Sequence, residues 1–267
     1  MPIEVWSHGD ADAGMDQRIL VRLAEKVRAH PWWRSRTFLA RWVLRRERVL
    51  PPAQVLDAGC GWGTTFLALE ADGYRTTGAD ISGQMLERLD APQRRLSVCD
   101  LTRTVQHEET FDAVLAMDVI EHIDDDVAAT RQMYRFLRPG GLLLLSVPAL
   151  PELYGEFDAI QAHRRRYTAE TLKHTLETAG FGKIRLLWWG RLIYLFIRHQ
   201  RARIKGIPGE TPDQTYLRYL ELPGYPVRWL IDAAFWVDRW LTRSGLCRTG
   251  TSLLAVARRP EADGGSA

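Results

Sequence analysis

The chain has 267 residues, 46% hydrophobic and 26% charged, with a formal net charge of +3. That length and balance fit a soluble globular protein with one large domain or a domain carrying an insertion, and the small charge makes no case for nucleic acid. Three distant cysteines, Cys60, Cys99 and Cys247, exclude a disulfide framework or a zinc knuckle and fit a reducing cytoplasm. The opening "MPIEVWSHGDADAG" has neither the basic start nor the apolar centre of a secretion signal, and no uncharged apolar run reaches the roughly 18 residues of a membrane span.

In chain order, residues 15–48 read as helical, within an N-terminal helical segment 1–50. "AQVLDAG" is a short apolar strand ending in glycine, and "TTFLALEADG" is a helix with a glycine stop. "YRTTGAD" reads as a strand, "SGQMLERLDA" as a helix capped by Ser82, and "RLSVCD" and "FDAVLAMD" as further strands. "DDDVAATRQMYRFLRPGG" is a helix with acids at its start, followed by the apolar strand "LLLLSVP". After Pro148 come a long loop, a helix at "TAETLKHTLETAG" and a strand at "KIRLLWW". The last strand lies at 251–259 and a polar tail, read as disordered, at 260–267.

Apolar strands alternating with helices predict an α/β fold with a doubly wound, mostly parallel, seven-stranded sheet of Rossmann-like type. The core spans 51–189. Residues 190–250 are too many for a hairpin, and they read as an α-helical cap of two helices inserted before the last strand.

"VLDAGCGWG" raises a specific question, because Gly59, Gly61 and Gly63 alternate directly after a strand. Such a turn exposes backbone N–H groups and lets a ligand approach without a Cβ clash. The spacing is not the G-x-G-x-x-G of a dinucleotide site. Asp57 at the strand end would repel a pyrophosphate but suits an ammonium, which points to a cofactor carrying an amino acid. Asp80, 23 residues further on, is placed to accept two ribose hydroxyls, and Asp100 to accept from an exocyclic amine. The next strand ends in "AMDVIEH", so four successive strands each carry an acid near the carboxyl end.

With "VLDAGCGWG", "GADIS", "CDL", "FDAVLAMDVIEHIDD", "LRPGGLLLLSVPA" and "HRRRYT", the chain resembles the class I S-adenosylmethionine-dependent methyltransferases over roughly residues 30–190 and 251–258. Within them it looks most like the branch of ubiquinone-biosynthesis O-methyltransferases and small-molecule tailoring enzymes. The resemblance implies that Gly59, Cys60, Gly61 and Gly63 line the methionine and ribose part of the cofactor and that Asp57 lies near its amino group. It also implies that Asp80 binds the ribose, that Ile81 packs on adenine, and that Asp100 and Leu101 read the adenine edge, with Met117 a further cofactor-binding residue.

Asp118, Glu121 and His122 fall at i, i+3 and i+4, sharing a face if the turn is helical, and His163 follows the neighbouring strand. Three readings stay open: loop capping, with Arg164–Arg166 a solvated charge run; general base catalysis by His163 or His122; or a divalent metal held by acids and imidazoles. The small-RNA 2′-O-methyltransferases show a similar acid-x-x-Glu-His followed by a distant His. "HPWWRSR" at 30–36 reads as lid or core. "GRLIYLFIRHQRARIK" at 190–205 could lie on an anionic membrane, and "VRWLIDAAFWVDRW" puts Trp229, Ala233, Trp236 and Trp240 on one face, suited to an apolar acceptor. The reading is O-methylation of a lipophilic or aromatic small molecule, ahead of an RNA 2′-O-methyltransferase or a non-catalytic partner of the same fold.

Overall fold

A computed structural model describes residues 2–8, 23, 26–105, 107–204 and 209–261. The strands are β1 (Glu4–Val5), β2 (Gln54–Ala58), β3 (Arg75–Asp80), β4 (Arg95–Val98), β5 (Phe111–Met117), β6 (Leu137–Pro148), β7 (Gly182–Trp189) and β8 (Ser252–Arg258). They form one sheet in the order β1-β4-β3-β2-β5-β6-β8-β7. Pairing is parallel except for the two ladders of β8. The winding reverses between β2 and β5, which opens a crevice beyond their carboxyl ends.

The sheet has eight strands, one more than expected. The addition is β1, whose Glu4 and Val5 pair with Ser97 and Val98; two residues carry too little alternation to read as a strand. The N-terminal segment is therefore not wholly helical. Helix α1 (Pro31–Arg46) starts at a proline, whose fixed φ suits a first turn and whose ring is excluded from a helix interior. His30 caps it, Nδ1 accepting from the Trp32 N–H at 3.2 Å. Residues 9–22 of the same segment and 262–267 of the expected tail lie outside the described residues.

Helices α2 (Thr64–Ala71) and α3 (Gly83–Glu87) follow β2 and β3, and α4 (Asp126–Phe136) follows β5. Helix α4 stops before "LRPGG", which belongs to β6. The long loop after β6 contains a short helix, α5 (Glu156–Ile160), and α6 (Ala169–Thr178) comes next, capped by Thr168. Among the described residues between β7 and β8 lie three helices, not two: α7 (Tyr194–Arg203), α8 (Pro212–Leu220) and α9 (Val227–Ser244). Helix α8 opens on Thr211-Pro212 with Gln214 three residues after the cap, a start signal that its turn-like composition hides.

The core fills both faces of the sheet. Met133, Phe136, Leu172 and Leu176 of α4 and α6 cover one side. Leu39, Val43 and Leu44 of α1 and Ile231 and Phe235 of α9 cover the other. Leu142–Leu145 of β6, wholly buried between these layers, explain the uninterrupted apolar run. No helix among the described residues is long and apolar enough to cross a membrane.

Candidate active site

The glycine turn after β2 is tied down by its neighbour strand, since Gly59 and Cys60 donate to the Ala79 carbonyl at 2.7 and 3.0 Å. The glycines then divide their work. Gly63 has φ +71°, and a Cβ there would come 2.5 Å from Leu89, so its bareness serves packing. Gly61 has φ +46°, and the nearest atom to a Cβ would be Asp80 Oδ2 at 4.0 Å, so its bareness keeps space open on a cavity wall.

That cavity, of about 590 Å³, lies beyond the carboxyl ends of the parallel strands. On its sheet side are Gly59, Cys60, Gly61, Asp80, Ile81, Asp100, Leu101 and Met117. Two expected contributors are elsewhere. Gly63 packs against Leu89, and Asp57, 2% exposed, sits behind the loop and not on the wall. Burial pushes the Asp57 carboxyl up to about 7, against the pull of the Arg36 guanidinium.

Asp80 Oδ1 accepts the Ser82 N–H at 2.9 Å and Oδ2 the Gly61 N–H at 2.8 Å. Asp80 lines the cavity and its carboxylate has acceptor capacity to spare, which is what a ribose diol needs. Burial raises this carboxyl, and the backbone N–H groups of Ser82, Gly61 and Ile81 pull it back. Asp100 Oδ1 accepts from the Thr102 N–H and hydroxyl at 2.8 and 2.7 Å, and Ser7, beyond β1, exchanges hydrogen bonds with the Asp100 backbone. An adenosyl group fits these acceptors and the open space at Gly61.

Beyond β5 the expected helical turn does not form as a unit. Asp118 has φ +62°, a left-handed conformation that Asp tolerates at some cost, and only Ile120–His122 form a turn of 3₁₀ helix. Asp118 therefore stays on the cavity wall but outside the cluster that the other residues form. Its carboxylate accepts from Arg36 at 2.6 Å and from the Ser146 hydroxyl at 2.7 Å. Arg36 also donates to the Met117 carbonyl at 2.9 Å, so α1 holds the end of β5 in place.

Glu121, His122 and His163 do converge, each offering a ligand atom within 4.8 Å of the others. Glu121 is wholly buried, neither oxygen accepts a hydrogen bond from another residue, and burial, with Asp118 nearby, holds its carboxyl well above the usual range. Burial, then the neighbouring His163, pushes His122 down to about 3.

His163 is held by a residue that the sequence did not flag. Asp158 of α5, wholly buried, takes His163 Nδ1 and Arg166 Nε on one oxygen at 3.0 and 2.8 Å. Its other oxygen takes Arg201 Nη1 of α7 at 3.0 Å and the Gly155 N–H at 3.1 Å. Burial alone would raise the Asp158 carboxyl, but His163, Arg166 and Arg201 outweigh it and hold it low. An ionised Asp158 accepts, so Nδ1 carries a proton, and Nε2 lies on the opposite side of the ring, 4.0 Å from Glu121. Arg166 is thus buried structure and not solvated charge.

The cap forms the apolar side of the cavity through Ile193, Phe196, Ile197, Leu222, Ile231 and Phe235. Trp32 and Trp33 line it as well; Trp32 packs on Trp189 and Trp33 meets Trp62 edge-on. The expected tryptophan face of α9 does not take part. Trp229, Trp236 and Trp240 are 62%, 64% and 53% exposed and point outward. The 190–205 segment likewise turns Ile193, Phe196 and Ile197 inward, while Leu192 and Leu195 stay exposed.

His30, also on the wall, gives a test of this buried polar arrangement. Burial, helped by Arg228, pushes it down to about 4 from an ordinary 6.5. The folded state then resists a proton that the unfolded state takes up. Stability should be full above about pH 6.5 and fall by roughly 1–3 kcal/mol as pH drops to about 4. Chemical denaturation across this range should show the fall, and His30→Asn, which keeps a capping acceptor, should flatten it.

A family model described as a methyltransferase domain matches residues 27–186, and the chain belongs to that family. A ubiquinone biosynthesis O-methyltransferase of Xanthomonas campestris pv. campestris is 34% identical over 104 residues, 36% of this chain and 44% of that protein. The chain thus spans less than half the length of the curated relatives it matches. Among solved structures, a SAM-dependent methyltransferase from Archaeoglobus fulgidus superposes with a TM-score of 0.53 at 18% identity, covering 83% of this chain and 94% of that one. The Burkholderia thailandensis 1,6-didemethyltoxoflavin-N1-methyltransferase, solved with its substrate and S-adenosylhomocysteine, gives 0.50 at 18% identity, covering 85% and 79%. Both show the same fold.

Proposed function

We propose that the protein transfers a methyl group from S-adenosylmethionine to a hydroxyl of a lipophilic or aromatic small molecule. The observation that carries this reading is the two-sided cavity: carboxylates and a glycine turn at the sheet, apolar cap residues opposite, and an Asp158-oriented His163 between them. The core, 51–189 with 251–259, would hold the cofactor, and the insertion 190–250 would choose the acceptor. The three free, buried cysteines support a reducing compartment, the cytoplasm. Apolar cap walls favour a small lipophilic acceptor over an RNA 2′-hydroxyl.

When bound, S-adenosylmethionine supplies an activated methyl on a sulfonium. Asp80 would bind the ribose, and Asp100 with Leu101 would meet the adenine edge. The cap would orient the acceptor, and positioning of this kind can supply about 7–11 kcal/mol of the barrier. His163 Nε2 would accept the hydroxyl proton, and the resulting imidazolium would be stabilised by Asp158.

A second reading rests on Glu121. A buried carboxylate without a hydrogen-bond partner, beside two imidazole nitrogens, fits a divalent cation, which would lower the pKa of a bound hydroxyl. Incubation with isotope-labelled S-adenosylmethionine and a panel of catechols, phenols and aliphatic alcohols should transfer label to a phenolic acceptor. Transfer to RNA alone, or to no acceptor despite cofactor binding, would overturn the proposal. Activity lost on chelation and restored by Mg²⁺ or Mn²⁺ favours the metal; unchanged activity favours the imidazole acting as base.

A further inference from the structure

We propose that the outward face of α9 is a docking surface for an anionic lipid bilayer. The helix presents large apolar side chains on two sides, although buried Asp238 shares the inner one. Ile231, Phe235 and Thr242 face the core, while Trp229, Trp236 and Trp240, spaced by seven and four residues, form a solvent-facing stripe. Leu230 and Val227 of α9, with Tyr225 just before it, continue the exposed apolar surface at its N-terminal end, and Tyr225 is 88% exposed. Single exposed apolar residues need no explanation, but a contiguous aromatic stripe marks a surface made to be covered.

Charge beside the stripe says what covers it. Helix α9 packs on α1, and the Arg239 and Arg243 guanidiniums lie over the Phe38 ring of α1 at 4.9 and 5.8 Å. Arg46 lies over Trp42 at 5.2 Å, and exposed Arg34 is near enough to act on Arg239 as a like charge. The carboxylate on this flank, Asp232, is bonded to Arg228 at 3.0 Å. Tryptophan beside arginine is the composition of a surface that settles at lipid headgroups, where the rings enter the interface and the cations meet anionic lipid. A second copy of the chain fits less well, because a two-fold pairing of this face brings one row of arginines towards the other.

The placement has a use. The inner side of the same helix supplies Ile231 and Phe235 to the cavity, so docking brings the cavity wall within about 10 Å, one helix diameter, of the lipid. The docking itself does not depend on the methyl-transfer reading.

The test is sedimentation of the full chain with unilamellar vesicles of phosphatidylcholine, with and without about 30% phosphatidylglycerol. The wild type should bind the anionic vesicles, and molar salt should release it. The triple variant Trp229→Ser, Trp236→Ser, Trp240→Ser should lose about tenfold or more of the bound fraction, and Arg239→Gln with Arg243→Gln should lose the preference for phosphatidylglycerol. Cofactor affinity and melting temperature should stay at wild-type values in both. Quenching of wild-type tryptophan fluorescence by brominated lipid supplies an arm that needs no variant. No vesicle binding, no quenching, or equal binding by the triple variant would overturn the proposal. So would a dimer in ultracentrifugation that the same three substitutions abolish, since it would give the face to a second copy.

Discussion

His163→Ala should lower kcat by about 10²–10⁴-fold, the usual worth of a general base, while cofactor affinity stays at the wild-type value. The imidazole is the group that both faces the cavity and has its tautomer fixed from behind, by Asp158 on Nδ1 at 3.0 Å. Asp158→Asn separates chemistry from scaffolding. With its oxygen kept on the Arg201 side, the carboxamide turns its NH2 to Nδ1, giving up the Arg166 bond and forcing the proton onto Nε2, the wrong side for a base. That variant should bind cofactor, keep its acceptor KM and lose kcat. A His163→Ala enzyme with wild-type kcat would return the whole cluster to a structural role.

Asp80→Ala should weaken S-adenosylmethionine or S-adenosylhomocysteine by about 1.5–3 kcal/mol, a Kd about 10–150-fold higher, as expected for lost bonds to a charged acceptor. Part of the loss could come from the loop, because the same carboxylate holds the Gly61 and Ser82 N–H groups. Asp80→Asn keeps one acceptor oxygen and should fall between wild type and alanine. Calorimetry giving equal affinities for all three would remove Asp80 from the ribose site.

The legible parts of this molecule were local. An apolar run stopped by glycine, repeated with an acid at each strand end, marks β2 to β5 and places Asp80 and Asp100 without knowledge of distant contacts. What stayed hidden depended on backbone angles or tertiary partners. The i, i+3, i+4 spacing of Asp118, Glu121 and His122 assumes helical φ at the first residue, and Asp118 has φ +62°. Asp158 looked like one acid in a loop, and its significance comes from an imidazole and two guanidiniums gathered out of two other segments. Periodicity put the tryptophans of α9 on one side, but it could not say which side faced in, because the opposite side, with Ile231 and Phe235, is apolar too.

The helices α7 to α9 leave and rejoin the sheet at one point. Trp189, the last residue of β7, is the ladder partner of Ser252, the first of β8, and a Cβ on Gly250 would strike the Trp189 carbonyl at 2.1 Å. Topologically the whole cap is an enlarged hairpin loop, with a neck too tight for any side chain at that glycine. Segments of other length and composition can be spliced at such a neck without shifting the register of β7 on β8. A lineage could therefore change what it methylates by exchanging one stretch of gene while inheriting its methyl-donor site unaltered.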